Sequence, residues 1–276
     1  MRARDILSKE KRVAKVDLMG LVAHSLGVSK EALFVGLDKE IEEGRARLIE
    51  KLVEERAAGR PLAYITNVKE FFSEEFFVDG SVLVPRPETE ELVEEALRLA
   101  RGRENPARVL DMGTGSGAIG VIMAKKGLCR VLCVDSSADA LRVARKNAKK
   151  LCAGADISFI CSDLFESMKA GKRFDLVCAN LPYIPTGAID GLAADVKDFE
   201  PRIALDGGED GLDLYRRLFE ALPQYLSEGG RVICEMGGGF QTGRMEEMLR
   251  SIGMRAEIKK DLSGRERVIV GSWINS

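Results

Sequence analysis

The run ARVLDMGTGSGAIG, residues Ala107 to Gly120, leads a short apolar segment into three closely spaced glycines and then into a second apolar segment. ARVLDM reads as a strand, and AIGVIMAKKG, which follows the glycines, as a helix. Gly113, Gly115 and Gly117 then form the turn between them. Glycine there lets the backbone turn sharply and lets a ligand approach it closely. A glycine turn by itself can serve packing alone. This one has a partner: Asp135 closes the next strand, RVLCVD, about 20 residues on, where a carboxylate hydrogen-bonds the hydroxyls of a ribose.

The same alternation continues on both sides of this unit. ETEELVEEALRLA is helical before it. After it come the helix SADALRVARKNAKKL, the strands DISFICSD and FDLVCAN, the helix DLYRRLFEALPQYL and the strand RVICEM. Short apolar strands alternating with helices predict an α/β domain, doubly wound, with a mostly parallel sheet covered on both faces. The last stretch, MRAEIKKDLSGRERVIVGSW, reads as two strands joined by Asp261–Gly264, a connection short enough to make them antiparallel. Upstream the period changes. Leu18, Leu21, Val22, Leu26, Leu33, Leu37, Ile41, Leu48, Leu52 and Val53 recur at helical spacing, and Ser29 stands as an N-cap. Residues 1–66 therefore read as a small bundle of three or four helices. Residues 67–84, VKEFFSEEFFVDGSVLV and the residue before it, read as a β-hairpin linker. Residues 85–276 form the α/β domain.

The 276 residues carry a formal charge of −2, which argues against a chain that grips nucleic acid through its phosphates. A single histidine, His24 on an apolar helical stretch, argues against a His-centred triad or a His-rich metal site, and no metal is expected. Cys129, Cys133, Cys152, Cys161, Cys178 and Cys234 include no C-x-x-C pair and read as buried reduced thiols. The first residues lead to no apolar core of signal-peptide length, and no run approaches the ~18 apolar residues of a membrane span. These features lead us to expect a cytoplasmic protein, with no membrane partner and a monomeric state.

The glycine spacing is G-x-G-x-G with Asp111 just before it, not the G-x-G-x-x-G of a pyrophosphate binder. Together with the antiparallel pair at the end of the sheet, this resembles the S-adenosylmethionine-dependent methyltransferases built on a seven-stranded sheet. In that class the loop meets an amino acid and a ribose, not phosphates. The resemblance extends to Ser162-Asp163-Leu164-Phe165 after the third strand. It implies that Asp163 meets the adenine amino group and that Leu164 covers the ring.

FDLVCANLPYIP, Phe174 to Pro185, ends a strand on Asn180 and continues Leu181, Pro182, Tyr183. The stretch resembles the [N/D]-P-P-[Y/F] motif of enzymes that methylate planar nitrogens. Such a nitrogen has a delocalised lone pair and is a poor nucleophile. Two acceptors, the Asn180 side-chain oxygen and the Leu181 carbonyl, can hold both of its N–H hydrogens while charge builds on nitrogen. Tyr183 can stack on the flat group and Pro182 stiffens the loop. No strong base is needed, because the nitrogen becomes acidic once methylated. NLPY by itself fits a protein amide or a nucleobase amine equally.

Longer stretches carry a narrower resemblance. VLVPRPETEELVE (Val82 to Glu94), DVKDFEPRIALDGGEDGLDLYRRL (Asp195 to Leu218), EMGGGFQ (Glu235 to Gln241) and ERAAGRPLAYI in the helical part resemble the release-factor glutamine N5-methyltransferases, over residues 17–272. The resemblance implies transfer from S-adenosylmethionine to the glutamine amide of the Gly-Gly-Gln motif of class I release factors, leaving S-adenosylhomocysteine. It implies a donor site of Gly113, Thr114, Gly115, Ser116, Gly117, Asp135, Asp163, Leu164 and Asn180. The glutamine would be held by Asn180, Leu181, Pro182 and Tyr183, with Arg86 and Glu88 near the donor or the acceptor entrance. It further implies that the helical domain meets the release factor and that no nucleic acid is bound. Leu181 is a departure, since many members of that family have proline there. A nicotinamide dehydrogenase would share the sheet and Asp135 but not need NLPY, an adenine methyltransferase would share all but PRPETE, FEP and the acidic balance, and a catalytically silent protein could keep the fold and the donor, with Leu181 as its one hint.

Overall fold

The structure, a computed structural model, describes residues 2–101, 105–127, 129–171, 174–261 and 263–274. The chain divides into two compact units, one of Met1–Val68 with Ala193–Phe199, the other of Lys69–Leu192 with Glu200–Ser276. No helix among the described residues is long and apolar enough to cross a membrane.

The first unit is helical: α1 (Ala3–Lys9), α2 (Lys15–Leu26), α3 (Lys30–Val35), α4 (Glu43–Ala57) and α5 (Leu62–Thr66). That is five helices where periodicity predicts three or four; α1 and α5 are too short to show a helical repeat. Leu18, Leu21 and Val22 pack with Leu33, Ile49, Leu52 and Val53 as its core. Ile49, not Leu48, supplies the buried face of α4; Leu48 is exposed. Ser29 caps α3, its hydroxyl accepting the Ala32 N–H at 3.1 Å.

Strands β1 (Val68–Phe71) and β2 (Glu74–Phe77) form the hairpin. Phe72 and Ser73 between them both have positive φ, 53° and 62°, as a type I′ turn requires. The second unit continues with α6 (Thr89–Ala100), β3 (Arg108–Met112), α7 (Ala118–Lys126), β4 (Arg130–Asp135), α8 (Ala138–Leu151), β5 (Ile157–Cys161) and β6 (Phe174–Ala179). Helix α9 (Ala194–Lys197), in the segment that belongs to the helical unit, comes next. Then follow α10 (Asp213–Ala221), β7 (Leu226–Glu235), α11 (Phe240–Ser251), β8 (Met254–Lys260) and β9 (Glu266–Trp273). The sheet has seven strands in the order β5-β4-β3-β6-β7-β9-β8. All neighbours are parallel except β9, which runs antiparallel to both β7 and β8.

One apolar layer joins α6 and α7 to alternate strand residues such as Val109, Cys133 and Cys178. The other joins α10 and α11 to Leu110, Val134, Val177 and Cys234. Burial on both faces explains why the central strands are almost continuously apolar.

Three expectations are corrected. The helix expected to run on through Leu226 ends at Ala221, followed by a 3-10 turn at Leu222–Gln224, because Pro223 has no N–H to continue the ladder. The strand expected at Arg231–Met236 begins at Leu226, its pairing with β6 shifting register between Phe174 and Leu176. Cys161 is exposed, at the end of the edge strand β5, while the other five cysteines are buried. In the expected turn at Asp261–Gly264, Leu262 lies outside the described residues; Asp261 N–H donates to the Arg265 carbonyl at 2.8 Å.

Candidate active site

The strand register aligns the functional residues. Met112 pairs with Val134 on one side and Ala179 on the other, Asp135 pairs with Cys161, and Ala179 pairs with Cys234. One residue further on, at the carboxyl ends, Asp135, Gly113, Asn180 and Glu235 therefore stand side by side. The chain order reverses between β3 and β6, and a crevice opens at that switch point. The cavity there is about 340 Å³.

Asp111 organises the glycine turn from beneath. It is fully buried; its Oδ2 accepts the Thr114 hydroxyl at 2.5 Å and the Gly120 N–H at 2.9 Å. Burial, the dominant effect, pushes its carboxyl up to about 6. Gly113 has φ +72°, which favours glycine, and a Cβ there would sit 2.8 Å from Leu181 Cδ2, so any other residue would push the Leu181 side chain aside. Asp135 steadies the turn from the side: Oδ2 accepts the Gly115 N–H at 2.8 Å and Oδ1 the Ser137 N–H at 2.9 Å. Burial raises its pKa. A carboxylate has about four lone-pair sites, so Asp135 keeps acceptor capacity toward the cavity.

Asp163 reaches the opposite wall and pairs with Arg217 at 2.9 Å. Leu164, beside it, is buried with φ +45°, a costly conformation for a branched side chain. Phe165 secures it by stacking on Tyr225, ring centroids 4.1 Å apart.

Asn180 is gripped by its nitrogen. Nδ2 donates to Glu235 Oε2 at 3.0 Å and to Thr89 Oγ1 at 3.1 Å. Thr89 in turn donates to Glu235 Oε2 at 2.6 Å, and the Tyr183 hydroxyl donates to Oε1 at 3.1 Å. Three donors converge on one carboxylate, which is an acceptor only while ionised, so the amide cannot be turned over. The two partners stand 2.6 Å apart and share one side of the NH2 group, which turns Oδ1 away from them as the acceptor Asn180 offers on the cavity wall. Glu235 is 1 % exposed, and burial raises its pKa above the ordinary carboxylate range. Burial, then the neighbouring Glu235 charge, raises the Tyr183 phenol, which stays protonated.

Gly113, Thr114, Gly115, Ser116, Asp135, Asp163, Leu164, Asn180, Leu181, Pro182 and Arg86 meet on the cavity wall. Gly117, Tyr183 and Glu88 are not on it. Gly117 instead permits close packing, since a Cβ there would lie 3.2 Å from Ala144 of α8. Glu88 stands at the start of α6. Arg86 is tied to the buried Glu200 at 2.6 Å. Thr89, Glu235, Ser137 and Arg217 also belong to the site, and no sequence motif marks them. Thr89 and Glu235 lie inside quoted stretches, but only the tertiary fold brings them to Asn180, Glu235 through the pairing of β7 with β6 and Thr89 from the start of α6.

The cavity fits a nucleoside that carries no phosphate. Bare glycine backbone and carboxylates line it, and both arginines on its wall already hold a carboxylate partner. Sheet order, glycine turn, strand-end acid and asparagine loop together define an S-adenosylmethionine-dependent methyltransferase. Comparison with known proteins narrows the class. A family model described as a methyltransferase domain matches residues 109–199, and one described as the PrmC N-terminal domain matches residues 2–66. The release factor glutamine methyltransferase of Geobacter sulfurreducens is 38 % identical over 94 % of this chain and 89 % of its own. That of Rhodopirellula baltica is 38 % identical over 92 % and 88 %. A solved methyltransferase from Pyrococcus furiosus shares the fold, with TM-score 0.56 and 18 % identity over 79 % of this chain and 98 % of that one. The chain belongs to the release factor glutamine methyltransferase family.

Proposed function

We propose that this chain methylates the side-chain amide nitrogen of the glutamine in the Gly-Gly-Gln motif of class I release factors, leaving S-adenosylhomocysteine. The observation that carries the reading is the fixed amide of Asn180, whose nitrogen is turned to Glu235 and Thr89 so that its oxygen is the acceptor offered to a ligand. An acceptor that needs its N–H groups held finds an acceptor there; an enzyme that had to donate to its substrate would need the amide reversed.

When bound, S-adenosylmethionine supplies a methyl group on a positively charged sulfur. Gly113, Thr114, Gly115 and Ser116 would flank its amino acid and ribose, Asp135 would accept from the ribose hydroxyls, and Asp163 and Leu164 would meet the adenine. Asn180 Oδ1 and the Leu181 carbonyl would each hold one hydrogen of the glutamine amide. That fixes the nitrogen and stabilises the charge that grows on it. Once the new bond forms, the nitrogen is acidic and sheds one proton to water, so the site needs no strong base. Tyr183, bound through its hydroxyl to Glu235, braces the loop from behind.

The test is mass spectrometry of a digested release factor after incubation with the chain and S-adenosylmethionine. One added methyl on the glutamine of Gly-Gly-Gln is the expected result. An unmodified glutamine, with donor binding demonstrated by calorimetry, overturns the acceptor assignment. Asn180→Ala should abolish turnover while changing donor affinity far less.

A further inference from the structure

Leu181 supplies one of the two carbonyl acceptors in the reading above, and its orientation needs its own support. From the downstream side it has one: a residue before proline is confined to extended ψ, and Pro182 follows. From the upstream side the Leu181 side chain packs against Gly113, and the Leu181 N–H donates to the Tyr215 hydroxyl at 3.1 Å. Tyr215 then donates to the main-chain carbonyl of Glu235 at 2.5 Å. Both Leu181 and Tyr215 are buried, at 3 % and 0 % exposure, so no water substitutes for either bond. Burial also raises the Tyr215 phenol, keeping its hydrogen in place.

Two routes thus leave one residue. The Glu235 carboxylate fixes the Asn180 side chain, and the Glu235 carbonyl fixes the Leu181 backbone through Tyr215. We infer that Tyr215 is a positioning residue for methyl transfer: its hydroxyl, bridging the Leu181 N–H and the Glu235 carbonyl, sets the direction of the Leu181 carbonyl that holds the acceptor amide. This rests on the proposed role of Leu181. The bridge exists because residue 181 has an N–H to give; a proline there would have none.

The experiment is a cycle of Tyr215→Phe and Leu181→Pro, measured as kcat on a release factor and as Kd for S-adenosylmethionine. Tyr215→Phe keeps the ring, which packs 6.0 Å from Phe219, and removes only the bridge. In the natural background kcat should fall about tenfold with donor Kd changed less than twofold. In the Leu181→Pro background the same substitution should change kcat less than twofold, since no N–H remains to hold. An equal loss in both backgrounds, or none in either, overturns the inference, because a purely structural hydroxyl would act alike in both. Amide exchange at Leu181, followed by NMR without any acceptor, provides a second reading: protection should drop in Tyr215→Phe, and unchanged protection refutes the bridge. If the unaltered chain transfers no methyl to the release factor, the acceptor assignment itself fails and takes the positioning role with it.

Discussion

Glu235→Gln tests the site with almost no change in shape. In the natural chain, Thr89, Asn180 and Tyr183 all donate to the carboxylate, at 2.6, 3.0 and 3.1 Å. A glutamine offers one oxygen and one NH2 in the same space. With its oxygen toward Thr89 and Asn180, the NH2 meets the Tyr183 hydroxyl, which can rotate and accept. The fold therefore survives, but hydrogen bonds to a charged group, about 1.5–3 kcal/mol each, become neutral ones of about 0.5–1.5 kcal/mol. The bond to Asn180 loses about 1–1.5 kcal/mol of hold on the amide. If that hold is realised in the transition state, kcat falls about tenfold. Removing a buried charge also removes its desolvation cost, so the melting temperature should stay level or rise. Single-turnover methylation and calorimetric donor titration separate these effects. A kcat within twofold of the natural chain refutes the reasoning, as does a loss of donor affinity equal to the loss of rate. A pH profile adds a check. Burial raises the Glu235 pKa, so acid should protonate it earlier than an exposed glutamate, costing an acceptor and lowering activity; the glutamine variant should lack that limb.

Gly113→Ala combines a left-handed φ, about 1–2 kcal/mol for a residue with a Cβ, with crowding against Leu181. Donor Kd should weaken at least tenfold, and Leu181→Ala in the same chain should recover part of it; no recovery assigns the loss to backbone strain alone. Asp111 is raised from 3.8 to about 6, so its stabilising contribution is complete below pH 3.8 and is lost as pH rises through 6. The loss is about 3 kcal/mol, visible in urea unfolding as a pH-dependent difference between the natural chain and Asp111→Asn; a constant difference contradicts it. Phe165→Ala, which removes the stack on Tyr225 beneath Leu164, should cost about 3–5 kcal/mol of stability and weaken donor binding, measured by thermal melts with and without S-adenosylmethionine.

Strand β4 was legible to the residue because RVLCVD is an uninterrupted apolar run ending on a charge. The beginning of β7 was not, since Ser227, Glu228, Gly229 and Gly230 carry the signals of a turn while pairing as a strand. Helix α11 gives a weak signal because Phe240 at its start is exposed and its fully buried apolar face comes down to Met245 and Leu249, with Met248 half-buried beside them. The same division holds in the site. Asp135 and Asn180 announce themselves as polar residues ending apolar strands. Glu235 does so too, but its partners Asn180, Thr89 and Tyr183 are distant in sequence, and no local spacing encodes them. Tyr215 looks like an ordinary buried aromatic of an amphipathic helix, and only the carboxyl-end row reveals what its hydroxyl holds.

The helical unit is not a detachable module. It is completed by Ala193–Phe199, a stretch encoded well over a hundred codons after the rest of it, whose Phe199 ring lies 3.3 Å from where a Cβ on Gly59 would stand. Arg56, bonded to Asp17 at 2.7 Å, also reaches Asp195 at 4.0 Å. Cutting the gene after Val68 would give one fragment without its final packing piece and another carrying that piece with nothing to pack on. Grafting this helical unit onto another methyltransferase would therefore require transplanting the loop as well, so that exchanging it between relatives is a two-segment operation.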